Sequence, residues 1–496
     1  MAIRVDVRTS ASLLGTVLQA LSIPLSALIG VAALYGDPLL PFATPMVLSL
    51  AVGTGLARYE RSTPGPREAF LLVALAWLAV ALVGTVPFVL VGAGTLATPV
   101  NALFESMSGI TTTGATVIAD FSVHSRSILL WRSVLQWLGG LGVLVLAVGL
   151  LSELAVSGAQ LMETETQTQD VTKLTPKIAS TARLLGGIYA GLTGLMVVVL
   201  FALYLAGVAP AMTLYDAVAH ALTAVSTAGF SPRAASIGAF SPAVQWAVIP
   251  FMFVGATNFV LLYHLLQGDP SRLRNSEEFR FYLTVVLGAT ALVAASLALN
   301  GRFVTVEATL RHALFQVVSI VTTTGYATVD FDAWSTLPRH VLFLGMFVGG
   351  MAGSTTCSIK TVRWLVVLKA FRRDLFTAIH PEAIRPVRLT GSPVDESTIR
   401  DIYTYTLVSI VIFSLLTVFV VVDAARAGLA LSEFEAMGAA ASTFLNIGPA
   451  FGFAGPYGSY AGFPASTKLV MTVLMWLGRI EILPVLVLFT RAFWRS

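Results

Sequence analysis

The chain has 496 residues, 56% of them hydrophobic and only 11% charged, with a mean hydropathy of +0.83 and a formal net charge of +4. A soluble globular domain carries roughly 25% charged residues, so a single water-soluble core is excluded and most of this chain lies in lipid. The small positive excess forms no compact basic patch with interleaved aromatics, so nothing points to nucleic acid, and the single cysteine, Cys357, cannot form an intramolecular disulfide.

Read from the amino terminus, Arg4 and Arg8 precede an apolar run too long for a signal-peptide core. Two helices are expected over about 10–35 and 38–57, with Pro38 and Pro41 at the turn between them. A short charged loop with Arg58, Glu60, Arg61, Arg67 and Glu68 follows. The remainder repeats one pattern four times, over about 68–153, 182–267, 279–373 and 399–494: a long apolar helix, a short helix, a glycine-containing loop and a second long helix. In all, about ten apolar runs are long enough to span a bilayer. Domain limits follow as 1–67 for a two-helix extension and 68–155, 178–270, 276–375 and 395–496 for the four repeats. The short helices, of about 12–14 residues, cannot cross a ~30 Å hydrocarbon layer, so each must be re-entrant and shielded by protein or water. The fold class is an all-α polytopic membrane protein with four parallel helix–pore-helix–helix repeats around one central pore.

The four short segments align on Gly114, Gly229, Gly325 and Gly448. Six positions before each glycine stands a hydroxyl (Ser108, Thr223, Ser319, Ser442), and four before it an apolar residue (Ile110, Val225, Val321, Phe444). Two before it are Thr112, Thr227 and Thr323, then Asn446 as the exception. If the loops 111–116, 226–231, 322–328 and 445–451 face outward, most of the 30 Lys and Arg residues fall on the inner side. The amino terminus and inter-repeat loops are then cytoplasmic. Equal orientation of all four units favours a pore on a pseudo-fourfold axis over the inverted repeats of many secondary transporters.

A potassium ion leaving water needs oxygens in place of its hydration shell, and backbone carbonyls supply them without a full charge. Thr-x-Gly suits this because glycine permits the φ/ψ values that aim consecutive carbonyls at one axis. The short helices also point their negative C-terminal ends at the pore. No Asp or Glu lies in the four loops. Asp120 and Asp330 follow loops one and three, either concentrating cations at the mouth or standing as ordinary solvated loop acids.

These motifs resemble the Trk/Ktr/HKT potassium transporter superfamily, as do Gln136-Trp137-Leu138-Gly139-Gly140-Leu141-Gly142 and Gly478-Arg479-Ile480-Glu481-Ile482. The two extra amino-terminal helices resemble the bacterial Trk-H type. The resemblance implies filter glycines at Gly114, Gly229, Gly325 and Gly448, with carbonyls from Thr112, Thr113, Thr227, Ala228, Thr323, Thr324, Asn446 and Ile447. It implies potassium selectivity, since sodium-selective plant relatives carry serine in the first loop. It implies a homodimer in the inner membrane, partnered by a peripheral cytosolic nucleotide-binding regulatory subunit (Trk-A-like). The basic stretch from Lys360 to Arg400 is a docking face for it, or simply positive-inside bias. No cofactor is expected in this chain, potassium being the substrate.

The second helix of the third repeat, about Pro338 to Arg373, is too long for one span and is interrupted by small residues over 349–358, including Gly349, Gly350, Gly353, Ser354 and Thr355. Each glycine lowers helix stability by roughly 1 kcal/mol relative to alanine. The segment is either a close helix contact or, as the resemblance implies, an intramembrane gating loop below the filter. Arg479, in a helix expected over about 466–491, costs at least about 2.5 kcal/mol at that depth. It serves either a gate-side function or a structural partner such as a carbonyl of the broken segment. The Gly139–Gly142 run reads as helix packing and His220 as a structural histidine. The competing function is secondary transport of another solute through broken helices; no HExxH, GxSxG, Walker loop or Cys/His cluster suggests an enzyme.

Overall fold

Helix-starting and helix-breaking residues set the architecture. The computed structural model describes residues 5–149 and 178–495, so Arg4 and the end of the first repeat at 155 lie outside the described residues. Two helices, α1 (Val7–Tyr35) and α2 (Leu40–Ala57), form an amino-terminal hairpin. Asp6 caps α1 through the amides of Arg8 and Thr9, and Gly36 ends it in a left-handed conformation. The two helices cross at a glycine pair: a Cβ on Gly15 would stand 2.6 Å from the Gly53 carbonyl oxygen, and one on Gly53 2.8 Å from that of Gly15.

The first quarter is α3 (Pro66–Val91), the pore helix α4 (Pro99–Ile110) and α5 (Arg126–Gly149). The second is α6 (Ile178–Leu205), the pore helix α7 (Leu214–Val225), then α8 (Pro242–Gly255) and α9 (Phe259–Leu266). After the short α10 (Ser271–Asn275), the third is α11 (Glu277–Leu299), the pore helix α12 (Val306–Val321), α13 (Thr336–Gly345) and α14 (Thr361–Ile379). The fourth is α15 (Glu396–Arg426), the pore helix α16 (Glu433–Phe444), α17 (Ala465–Arg479) and α18 (Ile482–Leu488), followed by α19 (Arg491–Arg495).

Each pore helix begins where its sequence allows. Pro99 occupies the first turn of α4, Thr213 and Thr305 cap α7 and α12, and Ser432 with Glu435 forms a capping box on α16. Three pore helices have 12 residues; α12 has 16, longer than expected, because Thr305 starts it a turn earlier. Twelve residues rise only about 18 Å, so these helices end inside the protein. The second helix of one quarter packs on the pore helix of the next: α5 on α7, α8 on α12, α17 on α4.

The expected spans are corrected in two places. Among the described residues, seven helices are long and apolar enough to cross a membrane, plus the α8/α9 pair bent by 107°, against about ten apolar runs. The second helix of repeat two is broken at Gly255, because Asn258 restarts the chain by capping Val260 at 2.8 Å. The carbonyls freed there accept hydrogen bonds from the interrupted segment of repeat three, Gly255 from Thr355 N and Ala256 from Met351 N. The last helix is likewise not continuous: Glu481 has φ +66° and separates α17 from α18. A two-residue hairpin, β1 (Arg388–Leu389) with β2 (Ser392–Pro393) in the register Arg388↔Pro393, is a small exception to the all-helical reading.

The glycine crossing predicts a position-specific effect. Gly53→Leu forces α1 from α2, an overpacking cost of about 1–3 kcal/mol, and lowers the melting temperature of the detergent-solubilised protein. Gly55→Leu, where no described residue lies within 4 Å of the added Cβ, leaves that temperature unchanged.

Candidate ion pathway

The four pore helices deliver their loops to one place with one backbone geometry. Two positions before each filter glycine the backbone is left-handed although the residue is not glycine: Thr112 (φ +54°), Thr227 (+50°), Thr323 (+54°) and Asn446 (+57°). The glycines are also left-handed, Gly114 at +80°, Gly229 at +78°, Gly325 at +79° and Gly448 at +109°. In an extended chain successive residues face opposite sides; alternating the sign of φ turns successive carbonyls toward the same side. Non-glycine residues adopt this conformation at a cost of order 1–2 kcal/mol each, so the surroundings must hold it.

The holding contacts repeat. The carbonyl six positions before each glycine accepts the amide just before the glycine: Ser108 from Thr113 (2.9 Å), Thr223 from Ala228 (2.9 Å), Ser319 from Thr324 (2.8 Å) and Ser442 from Ile447 (2.9 Å). In the second and third quarters the hydroxyl at that position also donates to the carbonyl following the glycine, Thr223 to Phe230 O (2.9 Å) and Ser319 to Tyr326 O (2.6 Å). In these two quarters this is the role of the recurrent hydroxyl.

The glycines close the loops into a ring. A Cβ on Gly114 would collide with the carbonyl oxygen of Ala228, one on Gly229 with that of Thr324, one on Gly325 with that of Ile447, and one on Gly448 would stand 2.9 Å from that of Thr113. Each quarter thus abuts the next, and the fourth returns to the first. The twelve residues expected at the filter, Thr112, Thr113, Gly114, Thr227, Ala228, Gly229, Thr323, Thr324, Gly325, Asn446, Ile447 and Gly448, come together. Asn446 differs from its threonine counterparts: its amide nitrogen donates to Thr113 Oγ1 (2.7 Å) and Met475 O (2.9 Å).

Residues outside the loops brace them. Gln136 donates to Ala228 O (2.7 Å) and accepts from Phe230 N (2.9 Å), clamping the second loop from the first quarter. Glu105 in α4 and Arg132 in α5 form a fully buried pair at 2.7 Å; Glu105 also accepts from Val117 N, and Arg132 donates to Ser231 O. These ionisable residues escaped the sequence reading, although carboxylates and guanidinium groups in apolar segments are the signal that singled out Arg479. The glycines of 139–142 are packing positions: Gly140 lies under Tyr189 and Ser226, Gly142 under Trp77. His220 is buried and satisfied by Asp216 O (2.7 Å) and Ser231 Oγ (2.9 Å).

Above the glycines opens a vestibule of about 290 Å³, lined by all four filter glycines and by Arg132, Arg233 and Tyr460. Asp120 and Asp330 are not among its lining residues. The Ser122 hydroxyl and amide bind Asp120 and hold its carboxyl below the ordinary aspartate range. Asp330 accepts from Asp332 N instead.

Below the filter the interrupted segment passes from one quarter to another. Thr355 Oγ1 reaches Thr227 Oγ1 (3.0 Å) and Gly255 O (3.0 Å). Cys357 N donates to Thr323 Oγ1 (3.2 Å), and its Sγ lies 4.0 Å from Thr112 Oγ1. The loop thus touches three of the four left-handed residues, at the end of the ring opposite the vestibule. Its tight turn rests on the residues singled out in the sequence. A Cβ on Gly349 would meet Cys357 O, and one on Gly350 would lie 2.6 Å from Ala256 O. Gly353 has φ +72°, and Ser354 Oγ donates to Met351 O (2.6 Å). Buried Glu278 accepts from Ala352 N and from Thr361 Oγ1, gripping both ends of the loop. Arg479 donates to Thr355 O (2.9 Å), contacts Cys357 Sγ (2.8 Å) and donates to Gly139 O (3.0 Å). Its partner is therefore a carbonyl of the broken segment, and Glu481 pairs instead with Arg363 at 2.7 Å.

The basic stretch after this loop divides in two. Lys360 donates to Thr356 O, and Arg363 is buried against Glu481 and the Tyr405 ring. Arg372, Arg385, Arg388 and Arg400 are exposed.

A ring of backbone carbonyls with a vestibule open at one end and a peptide loop across the other is chemistry for a dehydrated monovalent cation. A family model described as a cation transport protein, TrkH, matches residues 42–496. The Trk system potassium uptake protein TrkH of Halomonas elongata is 36% identical over 98% of both chains. That of Escherichia coli K12 is 33% identical over 92% of both. The crystal structure of the potassium transporter TrkH from Vibrio parahaemolyticus superposes with a TM-score of 0.86 at 30% identity, covering 99% of this chain and 100% of that one. With the repeat, the ring and nearly the full length in common, this chain belongs to the TrkH family of cation transport proteins.

Proposed function

We propose that the protein takes up potassium ions across the cytoplasmic membrane through its four-loop carbonyl filter, closed from the inside by the 349–358 loop. The observation that carries this reading is the closed ring in which each filter glycine abuts the next quarter's carbonyl. Such a ring replaces a cation's hydration shell without a fixed negative charge, so the ion is held and still leaves. The relatives' names as potassium uptake proteins and a potassium transporter support the same substrate.

The loop beneath the filter is the gate in this reading. Thr355 and Cys357 stand where an ion leaving the inner end must pass, and Arg479 adds a positive charge there while holding the loop in place. The distribution of Lys and Arg supports an amino terminus and inter-repeat loops on the cytoplasmic side of the inner membrane. The exposed Arg372, Arg385, Arg388 and Arg400 offer a face to a peripheral nucleotide-binding regulatory subunit. The working unit in this reading is a homodimer.

Cation flux into liposomes holding the purified chain tests the filter. The wild type carries potassium in preference to sodium. Gly114→Ser, whose Cβ collides with the second quarter's carbonyl, cuts that preference by about tenfold, the equivalent of ~1.4 kcal/mol of differential stabilisation. Absence of any cation flux, even with the 349–358 loop shortened, would falsify the reading. For the gate, Arg479→Ala raises potassium flux severalfold at unchanged protein yield; unchanged flux in both Arg479→Ala and a loop-shortened variant removes the loop from the pathway.

A further inference from the structure

The fourth quarter treats its filter glycine differently from the other three. Gly448 O accepts two hydrogen bonds, from Ser442 Oγ at 2.7 Å and from the Tyr460 hydroxyl at 2.9 Å. A carbonyl oxygen has two lone pairs, so this one is saturated by the protein. In the second and third quarters the equivalent hydroxyls, of Thr223 and Ser319, donate one residue further on, to Phe230 O and Tyr326 O. In the first, Ser108 Oγ is buried and has no hydrogen-bond partner among the described residues. Among the described residues no hydrogen bond reaches the carbonyls of Gly114, Gly229 or Gly325. The backbone follows the same division: three glycines have φ between +78° and +80°, and Gly448 has +109°. Gly448 is buried, whereas the other three are partly accessible.

We propose that Ser442 and Tyr460 are positioning residues that withdraw the Gly448 carbonyl from the cation, so that the outermost ion position is held by the carbonyls of Gly114, Gly229 and Gly325 and completed by water. This deepens the potassium-filter reading and rests on it. The water comes from the vestibule, which opens directly on this level and is lined by the same four glycines. An ion there keeps part of its hydration shell, which makes the outermost position weaker and less discriminating than those below. The consequence is functional: conduction needs sites favourable enough to enter and weak enough to leave. The hydroxyl of Tyr460 is well placed for this because its ring is fixed between Phe104 and Phe463, with centroids at 5.6 Å and 5.7 Å.

Crystals of the full chain grown with rubidium in place of potassium test the proposal through anomalous density. The expected map of the wild type shows strong peaks at the inner filter levels. It shows a weaker peak at the glycine level, displaced away from the fourth quarter. In the double variant Ser442→Ala/Tyr460→Phe the outer peak strengthens and moves to the axis. Half-saturation of uptake by external rubidium falls by roughly three- to tenfold, the scale of a hydrogen bond exchanged for an ion contact. A centred, fully occupied outer peak in the wild type overturns the proposal without touching the filter reading, as does a double variant that folds and leaves both the peak and half-saturation unchanged. Rubidium absent from every level overturns the filter reading itself. If the double variant does not fold, the wild-type map decides alone.

Discussion

The contact between each filter glycine and the carbonyl of the next quarter governs how the rest of the molecule is arranged. A side chain at any of the four positions would strike a neighbouring backbone. The carbonyls converge only because the chain turns left-handed at Thr112, Thr227, Thr323 and Asn446 and again at the glycines. Such a conformation has no internal hydrogen bonds to sustain it, and the proposed filter needs most of its carbonyls available to the ion. Its stability is supplied from outside: by pore helices that end below it, by carbonyls six positions earlier that take its amides, and by clamps such as Gln136 and the buried Glu105–Arg132 pair. A buried ion pair of this kind is weak evidence of added stability, since desolvating both charges offsets their attraction. Its contacts with Val117, Thr116 and Ser231 fit a role in fixing position.

The same logic accounts for the broken helices. A straight helix satisfies its own carbonyls and has none to offer a neighbour. Breaking repeat two at Gly255 and repeat three at 346–360 leaves backbone groups that pair with each other: Met351 with Ala256, Thr355 with Gly255, Phe259 with Gly353. Irregular backbone at membrane depth is tolerated where protein buries it, and the loop meets that condition while lying beneath the filter. Arg479 joins the fourth quarter to it and to Gly139 of the first. The 349–358 loop, the four-loop ring and Gly139 are one connected hydrogen-bonded unit.

Much of this was legible in the sequence because it recurs. Four aligned glycines, four hydroxyls six positions earlier and four apolar neighbours required no knowledge of the fold. Gly349–Ser358 stood out because small residues interrupt an apolar run, and Arg479 because charge is costly in lipid. What escaped has a common cause. Gln136, Glu105 with Arg132, Glu278 and Tyr460 act on loops 11 to 99 residues away, so no local pattern assigns their partners. The break at Gly255–Asn258 carried a weak signal, a glycine followed by a good capping residue, but it lay inside a run whose hydropathy read as continuous. The stop after Arg479 had no glycine at the residue that turns left-handed, Glu481, to mark it.

The central claim is that backbone carbonyls in a ring of four unequal quarters choose among cations. The most direct measurement is the reversal potential of the chain with its 349–358 loop shortened, reconstituted in a planar bilayer with potassium on one side and sodium on the other. The account predicts a potential displaced strongly toward that of potassium, set by the filter alone once the loop is out of the way. A potential near zero, with current carried equally by both ions, would contradict it and reduce the four glycines to packing positions.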